Sequence, residues 1–255
     1  MRMRKKPNLL PRMERAGAVL VPEPEEYAGR WLAAFPGYSA LHVELGCGKG
    51  RFTAETAESR SDILLLAVEK VPDAMVVAME RVMERGINNV RFLDRDVSLL
   101  GTFLEKGEAE RIYINFCDPW PKSRCAKNRL TAPGFLRLYA DALADGGEIH
   151  FKTDNLPLFE WSVEQLQAER WDLREITNDL HRDGVFPYSA MTDYEAKFYA
   201  EGVKINRLVA KKTDKTLTSA AGAPERLRNA SLRDAKGRED SLAHFAAEGE
   251  KSAEK

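Results

Sequence analysis

Residues 41–52 read Leu41-His42-Val43-Glu44-Leu45-Gly46-Cys47-Gly48-Lys49-Gly50-Arg51-Phe52, an apolar run that ends at an acid and breaks into alternating glycines. The run 41–45 has the length and apolar character of a buried strand. Glycine lets the chain turn sharply behind it and brings the backbone close to a ligand at the carboxyl edge of a sheet. A dinucleotide fingerprint G-x-G-x-x-G needs its third glycine at position 51, where Arg51 stands, so a nicotinamide dehydrogenase is excluded. Glu44 adds negative charge where a pyrophosphate would have to lie. The loop is built for a guest that is not an anion.

Working outward, short apolar runs at 63–68, 90–93, 112–116 and 148–151 read as further strands. Stretches of helical spacing lie between or after them, at 51–59, 72–85, 133–143 and 157–169, with Pro72, Pro133 and Pro157 in first-turn positions. In the second of these, Ala74, Val77, Ala78, Arg81 and Val82 share a face, interrupted by the charge of Arg81. Strand alternating with helix predicts a doubly wound, Rossmann-like α/β sheet, mostly parallel and covered on both faces. Two later runs, 171–177 and 203–211, have no clear helix between them, so the sheet is expected to close with an antiparallel strand.

The flanks differ in texture. Pro7, Pro11, Pro22, Pro24 and Pro36 break up residues 1–38, a basic segment with room for a short helix around 25–34. Residues 39–212 form the expected α/β domain. Residues 213–255, rich in Ala, Ser, Glu, Lys and Arg, read as a disordered or weakly helical tail.

The chain has 255 residues, 44% of them hydrophobic, with Lys+Arg 39 against Asp+Glu 40. That suits one large domain with appendages. The longest apolar stretch, 63–68, falls far short of the ~20 residues a membrane helix needs, and the N-terminus carries no apolar h-region. A cytoplasmic protein without a membrane partner is expected. Three cysteines without C-x-x-C spacing argue against a disulfide framework or a zinc site. His42, His150, His181 and His244 show no ligand spacing either, so no metal is expected. With charges this balanced, a nucleic-acid binder must concentrate its cations locally. Arg2, Arg4, Lys5, Lys6, Arg12 and Arg15 do so at the start, and Lys122, Arg124, Lys127 and Arg129 do so in an acid-free stretch.

Glu44-x-Gly46-x-Gly48-x-Gly50 resembles the E-x-G-x-G-x-G pattern of class I S-adenosylmethionine-dependent methyltransferases, whose sulfonium cofactor suits an acidic strand end. Glu69 closes the second strand roughly 20 residues on, the usual place for an acid that accepts both ribose hydroxyls. Asp96, after the third strand, can accept from the adenine amine, with Asp94 the competing candidate. The fourth strand runs into Asn115-Phe116-Cys117-Asp118-Pro119-Trp120-Pro121-Lys122. Its two prolines stiffen a loop that holds Asp118 and an aromatic surface at the same sheet edge.

Taken together, NFCDPWPKSRCAKNRL at 115–130, FKTDN at 151–155 and TDYE at 192–195 resemble the tRNA (guanine-N7-)-methyltransferases of the bacterial TrmB type. The resemblance runs from about residue 39 to residue 212, with Glu44, Glu69 and Asp96 in register. It implies transfer of a methyl group from S-adenosyl-L-methionine to N7 of guanine at position 46, in the tRNA variable loop. It implies cofactor contacts from Glu44, Gly46, Gly48, Gly50, Glu69, Asp96 and Asp118, with Asp118 also catalytic. Lys122, Asp154, Thr192, Asp193, Tyr194 and Glu195 are the implied substrate contacts. Arg124, Cys125, Ala126, Lys127, Asn128 and Arg129 are the implied contacts to tRNA, by a monomer or homodimer. Three residues depart from the family: Cys117 replaces a usual Pro or Ser, and Cys125 and Asn128 replace common His and Arg. The last two reduce the charge and hydrogen bonding of the RNA-facing loop.

Guanine N7 carries an in-plane lone pair and no proton, so the reaction needs no general base. It needs proximity and a negative environment for the cation that forms. A carboxylate also accepts from N1–H and the exocyclic amine of guanine, which adenine does not match. Asp118 and Asp154 are both candidates for that pairing. Trp120 either stacks on the extruded base or anchors its loop. A class I methyltransferase acting on a small molecule or another RNA, and an RNA-binding module that merely keeps the fold, are the alternatives.

Overall fold

A computed structural model describes residues 8–183 and 190–219. The basic residues Arg2, Arg4, Lys5 and Lys6 and the tail beyond residue 219 lie outside the described residues.

The strands are β1 (Ala40–Leu45), β2 (Ile63–Val68), β3 (Val90–Leu93), β4 (Ala109–Asn115), β5 (Leu143–Thr153), β6 (Asp172–Thr177) and β7 (Asn206–Lys211). They make one seven-stranded sheet in the order β3-β2-β1-β4-β5-β7-β6. β1 to β5 pair in parallel, and β7 runs antiparallel to both β5 and β6. This is the doubly wound α/β sheet with an antiparallel closing strand that the sequence predicts. The helices are α1 (Leu9–Arg15), α2 (Trp31–Ala34), α3 (Arg51–Ser59), α4 (Pro72–Glu84), α5 (Leu100–Phe103), α6 (Pro133–Ala142), α7 (Leu156–Ala168), α8 (Leu180–Asp183) and α9 (Asp193–Ala200).

β2 shows why both faces are covered. Its side chains alternate between faces, as any strand's must, yet every residue is apolar and buried. Leu64 and Leu66 enter one core with Trp31, Leu136, Tyr139 and Phe151, whereas Leu65 and Ala67 enter another with Phe52, Met75, Met79 and Phe92. The carboxyl ends of the parallel strands are left to carry the loops.

Several boundaries shift for physical reasons. The helix expected around 25–34 is split into a 3-10 turn at Pro24–Tyr27 and the short α2. α4 buries Ala74, Met75, Ala78, Met79 and Val82, while Val77 is only half-buried. β5 is 11 residues long and begins well before 148, because its pairing with β4 shifts register after Leu143 and Gly146 turns with φ 75°. The final strand begins at Asn206 rather than 203, and α8 and α9 occupy the stretch where no helix was expected. Beyond β7, Thr216 Oγ1 donates to Arg170 O at 3.2 Å, Leu217 N to Glu169 O at 3.1 Å and Ser219 N to Asp141 Oδ2 at 3.1 Å. These bonds tie residues 213–219 to the ends of α6 and α7.

Among the described residues, no helix is long and apolar enough to cross a membrane. Nor, among them, does any group of three or more His, Cys, Asp or Glu side chains stand ready to hold a metal ion.

Candidate active site

The glycine loop is fastened to the neighbouring strand end. Gly46 N and Cys47 N both donate to Val68 O, at 2.8 and 3.1 Å. Glu69 comes next in the chain, and its carboxylate accepts from Gly48 N at 3.0 Å and Val71 N at 2.9 Å. Burial raises the Glu69 pKa despite those amide donors. A Cβ added at Gly46 or Gly48 would meet nothing within 4 Å, so open space lies against the backbone there. Gly50, in the left-handed region, is the N-cap of α3.

Beneath the loop, Glu44 is 1% exposed and accepts a hydrogen bond of 2.6 Å from Thr53 Oγ1 in α3. Burial pushes its carboxyl up to about 7. At the end of β4, the buried Asn115 side chain lies against the Glu44 carboxyl and, like Thr53, favours its ionised form.

Asp96 caps the 3-10 turn Val97–Leu99, accepting from Ser98 N at 3.0 Å and Ser98 Oγ at 2.8 Å, while Lys70 Nζ reaches its other oxygen at 3.1 Å. Burial works against ionisation, but these donors outweigh it and lower the Asp96 pKa.

Asp118 leaves the end of β4 exposed, in a loop whose Phe116 and Trp120 take φ 53° and 42°. Left-handed backbone at two bulky residues has to be imposed by its surroundings. Arg129 supplies much of that constraint: Nε donates to Pro119 O at 3.0 Å and Nη2 to Trp120 O at 3.1 Å. Its guanidinium also lies 4.3 Å from the centre of the Trp161 ring. Asp154 is exposed just past β5. Because Asn115 of β4 pairs with Lys152 of β5, Asp118 and Asp154 leave adjacent strands at one edge. Lys122, Arg124, Lys127 and Asn128 are exposed around the 3-10 turn Ser123–Asn128, with Cys125 and Ala126 half-buried.

The Thr192–Glu195 segment forms the first turn of α9. Thr192 is its N-cap, accepting from Glu195 N at 2.9 Å. Asp193 forms a two-point ion pair with Arg81 of α4 at 3.1 and 3.3 Å, and Tyr194 is exposed. Glu195 points inward: it is fully buried, with Oε2 held by Lys152 Nζ at 2.7 Å. Burial pulls the Lys152 pKa down. Residue-by-residue reading of the sequence does not single out Lys152, Thr53 or Asn115. The available signal is the same for Lys152 and Asn115: a polar side chain at the carboxyl end of a parallel strand.

A family model described as "Putative methyltransferase" (Methyltransf_4) matches residues 39–208, from just before β1 into β7. The chain belongs to this family. It is the family of the TrmB-type tRNA N7-guanine methyltransferases, within the class I S-adenosylmethionine-dependent group. Solved methyltransferases share the fold at low identity. "Crystal Structure of 16S rRNA Methyltranferase KamB" matches with TM-score 0.53 and 13% identity, over 69% of this chain and 89% of that one. The 16S rRNA (adenine(1408)-N(1))-methyltransferase from Catenulisporales acidiphilia matches with TM-score 0.52 and 15% identity, over 75% and 94%. "Structure of an Antibiotic Related Methyltransferase" matches with TM-score 0.52 and 16% identity, over 69% and 89%.

Proposed function

We propose that this protein transfers a methyl group from S-adenosyl-L-methionine to N7 of a guanine in the tRNA variable loop, giving 7-methylguanosine. The observation that carries the reading is the common sheet edge shared by Asp118, Asp154 and the glycine loop above Glu44. It puts exposed carboxylates for a purine beside a cradle with buried acid and open backbone.

The cradle fits the cofactor. Gly46 and Gly48 leave room for it, and the buried Glu44 suits its cationic amine. Glu69 and Asp96 stand at the ends of β2 and β3, where ribose and adenine acceptors belong in such sheets. When bound, the cofactor supplies an electrophilic methyl group. The chain's own part is to hold the base in line, exclude water and surround the nascent purine cation with negative charge. Asp118 serves that end and meets the donor edge of guanine with Asp154. Lys122, Thr192, Asp193 and Tyr194 line the substrate side, and Lys122, Arg124 and Lys127 face phosphate. An RNA substrate is also what the printed names of the two 16S rRNA enzymes say of those neighbours.

Incubation with labelled cofactor and total tRNA, followed by mapping of the labelled nucleoside, tests the reading. Label on 7-methylguanosine at the variable loop is expected. Label on another atom, or none, overturns it. Asp118→Ala should lower turnover on the order of 100-fold while the fold persists. Unchanged turnover removes Asp118 from the chemistry.

A further inference from the structure

Lys152 stands where the two halves of the site meet. It lies in β5, is 3% exposed, and its Nζ donates to Glu195 Oε2 at 2.7 Å and to Ala190 O at 2.8 Å. The same ammonium is 5.1 Å from the centre of the Phe52 ring, and the next residue of α3, Thr53, donates to Glu44. Its charge is felt most by Glu195 and, more weakly, by Glu44. An ammonium this deep persists only where anions and hydrogen-bond acceptors balance it. Here one balancing acid belongs to the cofactor cradle and the other to α9.

Two further bonds seat the same segment on the helices that flank the glycine loop. Met191 N donates to Glu55 Oε2 of α3 at 2.9 Å, and Arg81 of α4 pairs with Asp193. The segment 190–200 is thus fastened to the cofactor side of the molecule by side chains of α3, α4 and β5.

We infer that Lys152 is a positioning residue that couples the cofactor pocket to the 190–200 segment, so that filling the pocket fixes α9 in place for the substrate. The inference rests on the cofactor assignment proposed above. A cationic ligand beside Glu44 takes over the balancing of that carboxylate, leaving Lys152 to Glu195 and the carbonyl of Ala190. Their bond then tightens, and α9 is held more firmly against β5. Linkage is reciprocal: a substrate that orders α9 raises cofactor affinity by the same factor.

Hydrogen exchange of the 190–200 amides, with and without S-adenosylhomocysteine, provides the test. This product keeps the cationic amine that faces Glu44. In the wild type the ligand should slow exchange there by about fivefold or more. In Lys152→Met the slowing should vanish while calorimetry still records binding, and Lys152→Arg should retain it. If Lys152→Met fails to fold, the double variant Lys152→Met/Glu195→Met removes both charges with little loss of packing and should also lack the slowing. A purely structural role would change basal exchange but not the ligand-dependent difference. Binding without slowing in the wild type, or full slowing in the double variant, overturns the inference. Failure of the wild type to bind S-adenosylhomocysteine overturns the cofactor assignment and the inference together. Slowing without tRNA methylation sinks the tRNA reading alone.

Discussion

Gly50 approaches Ala78 so closely that a Cβ added to the glycine would lie 2.5 Å from the alanine Cβ and 2.8 Å from its Cα. α3 and α4 meet at this point, and Gly50 also caps α3 at φ 74°. The third glycine of the loop is therefore a packing residue. Gly46 and Gly48 instead face open space, so the same substitution has different consequences along one short loop.

Gly50→Ala should cost about 2–5 kcal/mol, combining left-handed strain with a clash that meets backbone as well as side chain. Gly48→Ala should cost only about 1 kcal/mol of stability but weaken S-adenosylhomocysteine binding, because its new methyl occupies the ligand's space. Urea denaturation and calorimetric titration separate the two. Equal stability losses for both variants would contradict the division of labour between the glycines.

Glu44 makes a pH-dependent prediction. Its carboxyl is pushed from 4.5 to about 7, so the folded protein holds that proton more tightly than the unfolded chain does. The contribution of Glu44 to stability thus declines as pH rises from about 4.5 to about 7 and is constant above. A cationic ligand favours the ionised form, so S-adenosylhomocysteine affinity should rise with pH through the same upper limit. Glu44→Gln should flatten both profiles. Denaturation and calorimetry between pH 5 and pH 8 (a range spanning about 7) provide the check, and a variant with wild-type slopes would refute the assignment.

Much of this was legible in the residues. Runs such as Leu64-Leu65-Leu66 have nowhere to go but a strand covered on both faces, and the loop from Gly46 to Gly50 announces its own turn. α9 was hidden for the opposite reason. Its buried residue is Glu195, so a search for apolar periodicity finds nothing, and the neutralising Lys152 lies 43 positions away in the chain. Arg81 shows the same limit: it interrupts an apolar face because its partner, Asp193, is 112 positions distant. The start of β5 was concealed by Gly146 and Gly147, which read as a turn and in fact belong to a register shift. Residue type can reveal the acids a cationic cofactor needs; it does not show which way an arginine in a basic run points.

Arg129 turns that last point into a prediction. It belongs to the cationic stretch expected to touch RNA, yet its guanidinium is spent on the carbonyls of Pro119 and Trp120 and on the Trp161 face. Lys122, Arg124 and Lys127 remain exposed. Each cation that meets a phosphate contributes about 0.7–0.9 to the slope of log affinity against log salt. Neutralising Arg124 and Lys127 together should therefore reduce the slope for tRNA by about 1.4–1.8, with turnover at saturating tRNA little changed. Arg129→Ala should leave the slope nearly intact. It should instead destabilise the protein by about 1–2 kcal/mol and lower turnover, because the loop that aims Asp118 loses its brace. Filter binding across a salt series, with kcat measured at saturation, distinguishes the two variants. If Arg129→Ala lowers the salt slope as loss of Arg124 and Lys127 does, its guanidinium leaves the loop to meet RNA and the bracing role is wrong.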